Sequence, residues 1–232
     1  MSQALERLSG IRKLPIFPLP LVLLPNELLS LHIFEEKYRQ MLRDVDLEGS
    51  FFGITLFEPQ EQFVERPTVG TIGCVAEIRE SEMLEDGRSN IVILGLARFR
   101  LVEYMETGDP YLVADIDFFE DDAGDADTIA PLAEEVFTLF QRMAVAAFKM
   151  SGGRGRLPEI QNTDAEALSF LICAAFNFEN EKKYSLIEMA STEERLNELR
   201  EILNRAVGQI EQSADIQSAS RTNGHSKKKL DL

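Results

Sequence analysis

The sequence predicts an α+β fold in which a strand-rich first part gives way to a helical second part. Three observations carry this prediction. From about residue 11 to 119, apolar and polar residues alternate with period two in short runs broken by turn residues, the pattern of half-buried strands. Beyond Glu120 the apolar residues recur every three or four positions, as they do along one face of a helix. Nowhere do strands alternate regularly with long helices, which excludes a doubly wound parallel sheet. At roughly 150 residues per domain, the 232 residues suit one large domain or two small ones. The patterning divides them into a β-rich subdomain over 1–120, a helical subdomain over 121–211 and a disordered tail over 212–232.

The apolar run Leu14 to Pro25 follows Arg7, Arg12 and Lys13 and superficially has the order of a signal peptide. Pro15, Pro18, Pro20 and Pro25 each remove a helical hydrogen bond, so the run is read as extended chain and the expected location is cytoplasmic. Tyr38, Met41, Leu42 and Val45 fall at i, i+3, i+4 and i+7 and predict a short helix over Glu35–Asp46. Cys74, Ala76 and Ile78 alternate with Val75, Glu77 and Arg79 in a strand that leads to a tight turn at Asp86-Gly87. Two further strands follow at Ile91–Leu94 and Arg98–Leu101. Another runs through Leu112, Ala114, Ile116 and Phe118, after a turn at Gly108-Asp109-Pro110. In the second part, Leu132, Val136, Phe140, Met143 and Ala147 mark a long amphipathic helix. A second helix opens at a capping box, Thr163 to Glu166, and a third at Ser191 to Glu194. The third carries Leu196, Leu199, Leu203 and Ile210, a stripe that suits packing within the chain or between subunits.

Lys and Arg total 24 against 40 Asp and Glu, a formal charge of −16. A field of that sign repels phosphate backbones, which argues against nucleic-acid binding. The segment from Arg221 onward carries a net +3, leaving −19 on the rest. Catalytic raw material is sparse. His225 falls in the expected tail, and His32 is read as a structural imidazole bonded to backbone near a strand end. Cys74 and Cys173 lie in apolar strings, which makes inert thiols the expectation, and neither has Cys or His at metal-ligand spacing. No P-loop and no Gly-x-Ser-x-Gly elbow occurs. The loop Gly152-Gly153-Arg154-Gly155-Arg156 is the one place where amides and guanidinium groups could gather an anion, although a mobile connection between two helices is the favoured reading of its composition. No metal, cofactor or catalytic residue is expected, and no run of about 18 apolar residues suggests a membrane span.

One longer pattern remains. Leu14-Pro15-Ile16-Phe17-Pro18-Leu19-Pro20, Val22-Leu23-Leu24-Pro25, Leu29-Ser30-Leu31-His32-Ile33-Phe34-Glu35 and Tyr38-Arg39 closely resemble the opening of the Lon protease N-terminal, substrate-binding domain. The likeness continues through Val69-Gly70-Thr71-Ile72-Gly73, Asp86-Gly87-Arg88, Arg98-Phe99-Arg100-Leu101 and Pro110-Tyr111, and it returns at Leu186-Ile187-Glu188 and Glu194-Arg195-Leu196. It spans about Leu14 to Val207. The resemblance implies a PUA-like β pseudo-barrel followed by a C-terminal helical bundle. It does not reach the ATPase and Ser-Lys peptidase modules of full-length Lon proteases, so a stand-alone, non-catalytic domain is the expectation.

By the same resemblance the chain is expected to bind polypeptides, as an adaptor that recognises exposed apolar segments of unfolded or damaged proteins, with a protease or chaperone as partner. Phe17, Leu21, Leu23 and Phe34 are the candidate contacts, as apolar strand and loop residues that could form an exposed patch or border an open strand edge. The alternative is a PUA-like RNA- or nucleotide-binding protein, which the acidic balance opposes.

Overall fold

The computed structural model describes residues 3–58, 66–150 and 163–223. The first part contains α1 (Gln3–Arg7), β1 (Lys13–Leu19), β2 (Leu28–Ile33), α2 (Glu36–Glu48), β3 (Phe51–Leu56), β4 (Ile72–Met83), β5 (Ser89–Met105) and β6 (Leu112–Phe118). The second contains α3 (Ala126–Met150), α4 (Ala165–Ala175), α5 (Asn180–Glu188) and α6 (Thr192–Asn223). The fold is α+β, as the change of period predicts.

The six strands form a mixed sheet in the order β2-β5-β4-β3-β1-β6, and β5 also pairs with β6. That extra pairing closes β1, β3, β4, β5 and β6 into a ring, a five-stranded barrel without free edges. β1 and β3 run parallel, with Ile16 opposite Gly53, because the chain makes an excursion through β2 and α2 between them. α2 buries the expected stripe of Tyr38, Met41, Leu42 and Val45.

Phe99 fills the barrel interior, in a cluster with Leu14, Ile16, Val75, Leu101 and Ile116. Two glycines make room for its ring: a β-carbon at Gly53 or Gly73 would lie 2.6 Å from Phe99 Cζ. The runs expected at Ile91–Leu94 and Arg98–Leu101 are one continuous strand, β5, and Gly95 sits in its middle. There the β1–β2 connection lies directly against it. Asn26 N–H donates to Gly95 O, Gly95 N–H donates to Glu27 O, and a β-carbon at Gly95 would stand 2.1 Å from Leu24 O. A glycine inside a strand here marks close backbone approach rather than a break.

Contacts group the chain into two units, Met1–Ala123 with Phe170–Ser191, and Gly124–Ser169 with Thr192–Leu232. α3 falls in the second unit, while α5 groups with the barrel. Ile72 N–H donates to Tyr184 Oη (3.0 Å), Lys183 Nζ pairs with Glu27 (2.9 Å) and Asn180 donates to Pro20 O (2.9 Å). Arg98 completes the attachment. Its buried guanidinium donates to the carbonyls of Ile187 and Met189, forms a 2.5 Å ion pair with Asp121 and lies over the rings of Phe119 and Phe170.

In the other unit α3 packs on α6. The buried positions of α3 are Leu132, Ala133, Val136, Leu139, Phe140 and Ala146, so at its end Ala146 faces inward where Ala147 was expected. The buried Arg195 of α6 donates to Ser169 Oγ at 2.7 Å. The cap of α4 is Asp164 rather than Thr163: its carboxylate accepts from Ala167 N–H at 2.9 Å. α6 continues to Asn223, beyond Gln212 where a disordered tail was expected. The apolar stripe fades there, but no Gly or Pro follows Gly208 before Gly224, and extending a formed helix through ordinary residues costs little. The loop at Gly152–Arg156, His225 and Lys227–Lys229 lie outside the described residues.

Candidate functional site

Residues at the far ends of β4 and β5 leave the barrel. β3 pairs with β4 only as far as Glu77, and beyond that point β4 and β5 run on together with β2 as a three-stranded ribbon. The register fixes its two faces, because residues directly opposite in antiparallel strands share a side. Leu29, Leu31 and Ile33 lie opposite Ile93, Ile91 and Ser89. This is the inner face, where Ile33, Ile91 and Ile93 are buried. Leu28, Ser30 and His32 lie opposite Leu94, Val92 and Asn90, which in turn oppose Glu77, Glu80 and Glu82. This outer face is open.

A hollow of about 440 Å³ lies on the ribbon, lined among others by Ser30, His32, Asn90, Val92, Glu80 and Glu82. With strands roughly 4.8 Å apart, its two rims are about 10 Å from each other. Leu28 is 65% exposed and Phe34 61%, and the Phe34 ring stacks beside His32 with centroids 6.3 Å apart. Met83 at the end of β4 is 79% exposed. β2 is the last strand of the sheet, and no described strand pairs with its outer edge. Half of the peptide groups of such an edge turn away from the sheet and offer donors and acceptors to another strand.

The charges at the tip are mostly paired. Arg88 clamps Asp86 at 2.6 Å and its hydrogen bonds hold the Asp86 carboxyl at about 2. Burial acts to raise the Glu77 carboxyl, but hydrogen bonds from Arg7 and Arg79 outweigh it and keep the group below its ordinary value. His32 is exposed, and its ring is fixed by side chains rather than by backbone as expected: Nδ1 lies 2.8 Å from Asn90 Oδ1, and Nε2 3.3 Å from Arg88 Nη1. Since Arg can only donate, Nε2 accepts and Nδ1–H donates to Asn90.

Of the four expected contact residues, the structure leaves one fully open. Phe17 is 6% exposed, with its ring centroid 4.0 Å from that of Tyr38, and Leu23 is 1% exposed. Both are core residues here, a correction to the expected contacts: Phe17 is covered by Tyr38 of α2 and packs beside Phe52, and Leu23 is buried in the connection between β1 and β2. Leu21 is half-buried, and Phe34 lies on the ribbon. Leu28, Met83, Glu80 and Glu82 were not anticipated. One sign was available, since two successive leucines, Leu28 and Leu29, in an alternating strand must point to opposite faces.

Cys74 and Cys173 are buried, and burial pushes the Cys74 thiol far above its ordinary value. Among the described residues no group of three or more His, Cys, Asp or Glu could hold a metal ion, and no helix is long and apolar enough to cross a membrane.

Residues 13–205 match the family described as the ATP-dependent protease La (LON) substrate-binding domain. The chain belongs to that family. It is 26% identical over 201 residues to a Lon protease of Brevibacillus choshinensis, covering 84% of this chain and 25% of that protein. With Lon protease 2 of Myxococcus xanthus the identity is 28% over 216 residues, covering 89% and 25%. The chain thus spans about a quarter of the length of the curated relatives it matches. Among solved structures, it is similar to a Lon N-terminal domain protein from Xanthomonas campestris, with a TM-score of 0.58 and 24% identity over 82% of this chain and 97% of that one. It is also similar to the N-terminal domain of Mycobacterium avium complex Lon protease, with a TM-score of 0.61 and 18% identity over 83% and 98%. Both likenesses place the fold among Lon N-terminal domains.

Proposed function

We propose that this Lon-family substrate-binding module captures extended segments of unfolded or damaged polypeptides on the β2–β5–β4 ribbon, and that it acts without catalysis as an adaptor for a protease or chaperone. The observation that carries this reading is the open outer edge of β2 flanked by Leu28 and Phe34 on the outer face. An added strand gains main-chain hydrogen bonds from the edge, and its apolar side chains gain burial against the flanking residues. Leu28 and Phe34 are six positions apart, about 20 Å along a strand, so a segment of six or seven residues reaches both. Such a site reads extended conformation and apolar content rather than one sequence.

The test is a fluorescence-anisotropy titration against a labelled, permanently unfolded polypeptide, with a folded protein and single-stranded RNA as competitors. Saturable binding displaced by neither supports the reading. Replacing Leu28 or Phe34 with Ser should weaken it about tenfold or more, because burying one such side chain is worth roughly 1.5–3 kcal/mol. Binding unaffected by either substitution overturns the site, and binding of RNA in place of the polypeptide overturns the function.

A further inference from the structure

The chemistry of the hollow narrows what such a segment contains, an inference that rests on the reading just proposed. Around the ribbon the structure pairs carboxylates: Glu27 with Lys183, Glu35 with Lys37, Glu36 with Arg39 and Arg43, Glu77 with Arg7 and Arg79, and Asp86 with Arg88. Glu80 and Glu82 differ. Both are exposed, both line the hollow from β4, and neither has an ion-pair partner among the described residues. Two positions apart on one strand, they point to the same side.

The imidazole and guanidinium groups near the hollow are already engaged. His32, on the opposite rim, is held by Asn90 and Arg88, and Arg88 is itself held by Asp86. Arg79 lies at the irregularity between Ile78 and Glu80 and turns to Glu77. One rim of a partly apolar hollow therefore carries two unneutralised negative charges, while Val92 lines it between the rims and Leu28 and Phe34 stand exposed on the same face.

We infer that the preferred occupant is an extended polypeptide segment in which Lys or Arg accompanies the apolar residues, the cations meeting Glu80 and Glu82 while the apolar side chains cover Val92, Leu28 and Phe34. Acidic segments are repelled by the same pair. Selection of this kind acts through opposite charges brought face to face and weakens with salt, because both partners stay partly solvated.

The experiment uses the full chain and three labelled peptides with identical apolar positions and Lys, Ser or Glu between them. At low salt the Lys peptide should bind on the order of 3- to 30-fold more tightly than the Ser peptide, the range expected for two partly exposed charge pairs, and the Glu peptide should bind weakest. In the double variant Glu80→Gln and Glu82→Gln, the Lys peptide should lose its advantage over the Ser peptide. Glu103→Gln with Glu106→Gln, exposed positions on the β5–β6 side of the barrel, removes the same net charge and should leave the preference intact. Equal affinities for the Lys and Ser peptides, or a preference that survives Glu80→Gln and Glu82→Gln, overturns this inference while leaving polypeptide binding standing. Failure of all three peptides to bind overturns both.

Discussion

Replacing Arg98 with Met probes the attachment of α5 to the barrel. The side chains of Arg98 and Asp121 are 1% and 4% exposed, and their 2.5 Å ion pair is accompanied by hydrogen bonds from Arg98 to Ile187 O at 3.2 Å and Met189 O at 2.6 Å. Methionine keeps most of the stem's packing but removes the Arg98 side of a buried ion pair and its hydrogen bonds to two carbonyls. Breaking a buried pair from one side costs about 3–5 kcal/mol, which for a protein of this size corresponds to a fall in melting temperature of roughly 6–20 °C. The assay is built into the composition. There is no Trp, and the four tyrosines, Tyr38, Tyr104, Tyr111 and Tyr184, all belong to the barrel unit, so tyrosine emission during urea unfolding follows that unit alone. Adding Asp121→Asn to Arg98→Met should cost much less than the two single losses combined, because the two residues share one interaction. A loss below about 1 kcal/mol for Arg98→Met, or strict additivity in the double variant, would refute the assignment of this pair as the lock.

Two glycines should respond in opposite directions. Gly95→Ala drives a β-carbon to 2.1 Å from Leu24 O, a backbone atom that cannot swing aside, and should destabilise the barrel by about 3 kcal/mol or more. Gly208→Ala, in α6 with nothing within 4 Å, should stabilise by about 0.5–1 kcal/mol through helix propensity, read as a shift in the helical signal. Since the Glu77 carboxyl is held below its ordinary value, its contribution to stability is complete above that ordinary value and disappears as pH falls through the lowered one. Glu77→Gln should therefore flatten the acid limb of the stability profile and leave its dependence near neutrality unchanged. Cys74 and Cys173 are buried and should react with a thiol reagent only as fast as their surroundings open. Prompt labelling of either in the folded protein would contradict their placement.

The parts of this fold that were legible are those in which local pattern and burial agree. The i, i+3, i+4, i+7 spacing of Tyr38 to Val45 gave α2 because that helix buries one stripe and exposes the rest. The hairpin at Asp86-Gly87 was legible because Gly87 takes a φ of +80°, which few other residues tolerate. α5 was missed because only Leu186 and Ile187 are buried along it; it is held by Tyr184, Lys183 and Asn180 through polar bonds to residues more than a hundred positions away, which no local window contains. Phe17 and Leu23 were misplaced for a related reason. An apolar residue in a proline-rich segment reads the same whether another element covers it or it borders solvent, and what covers Phe17 is Tyr38 of α2, brought onto it by the fold. At the candidate site, Phe34 could be chosen from its type. Glu80 and Glu82 could not, because what sets them apart is having no ion-pair partner among the described residues, which only the fold reveals.

The length of β5 has a mechanical meaning. Its first half pairs with β2 and β4 in the ribbon, and its second half is a stave of the closed barrel between β4 and β6. Tension applied along a strand added to the ribbon would pass into the barrel through ladders loaded sideways, in which many hydrogen bonds must yield together. A peeling load would break them one at a time. A segment gripped there is thus anchored to the stiffest part of the molecule, and a pull that extracts the captured chain should release the bound strand before it unravels the protein that holds it.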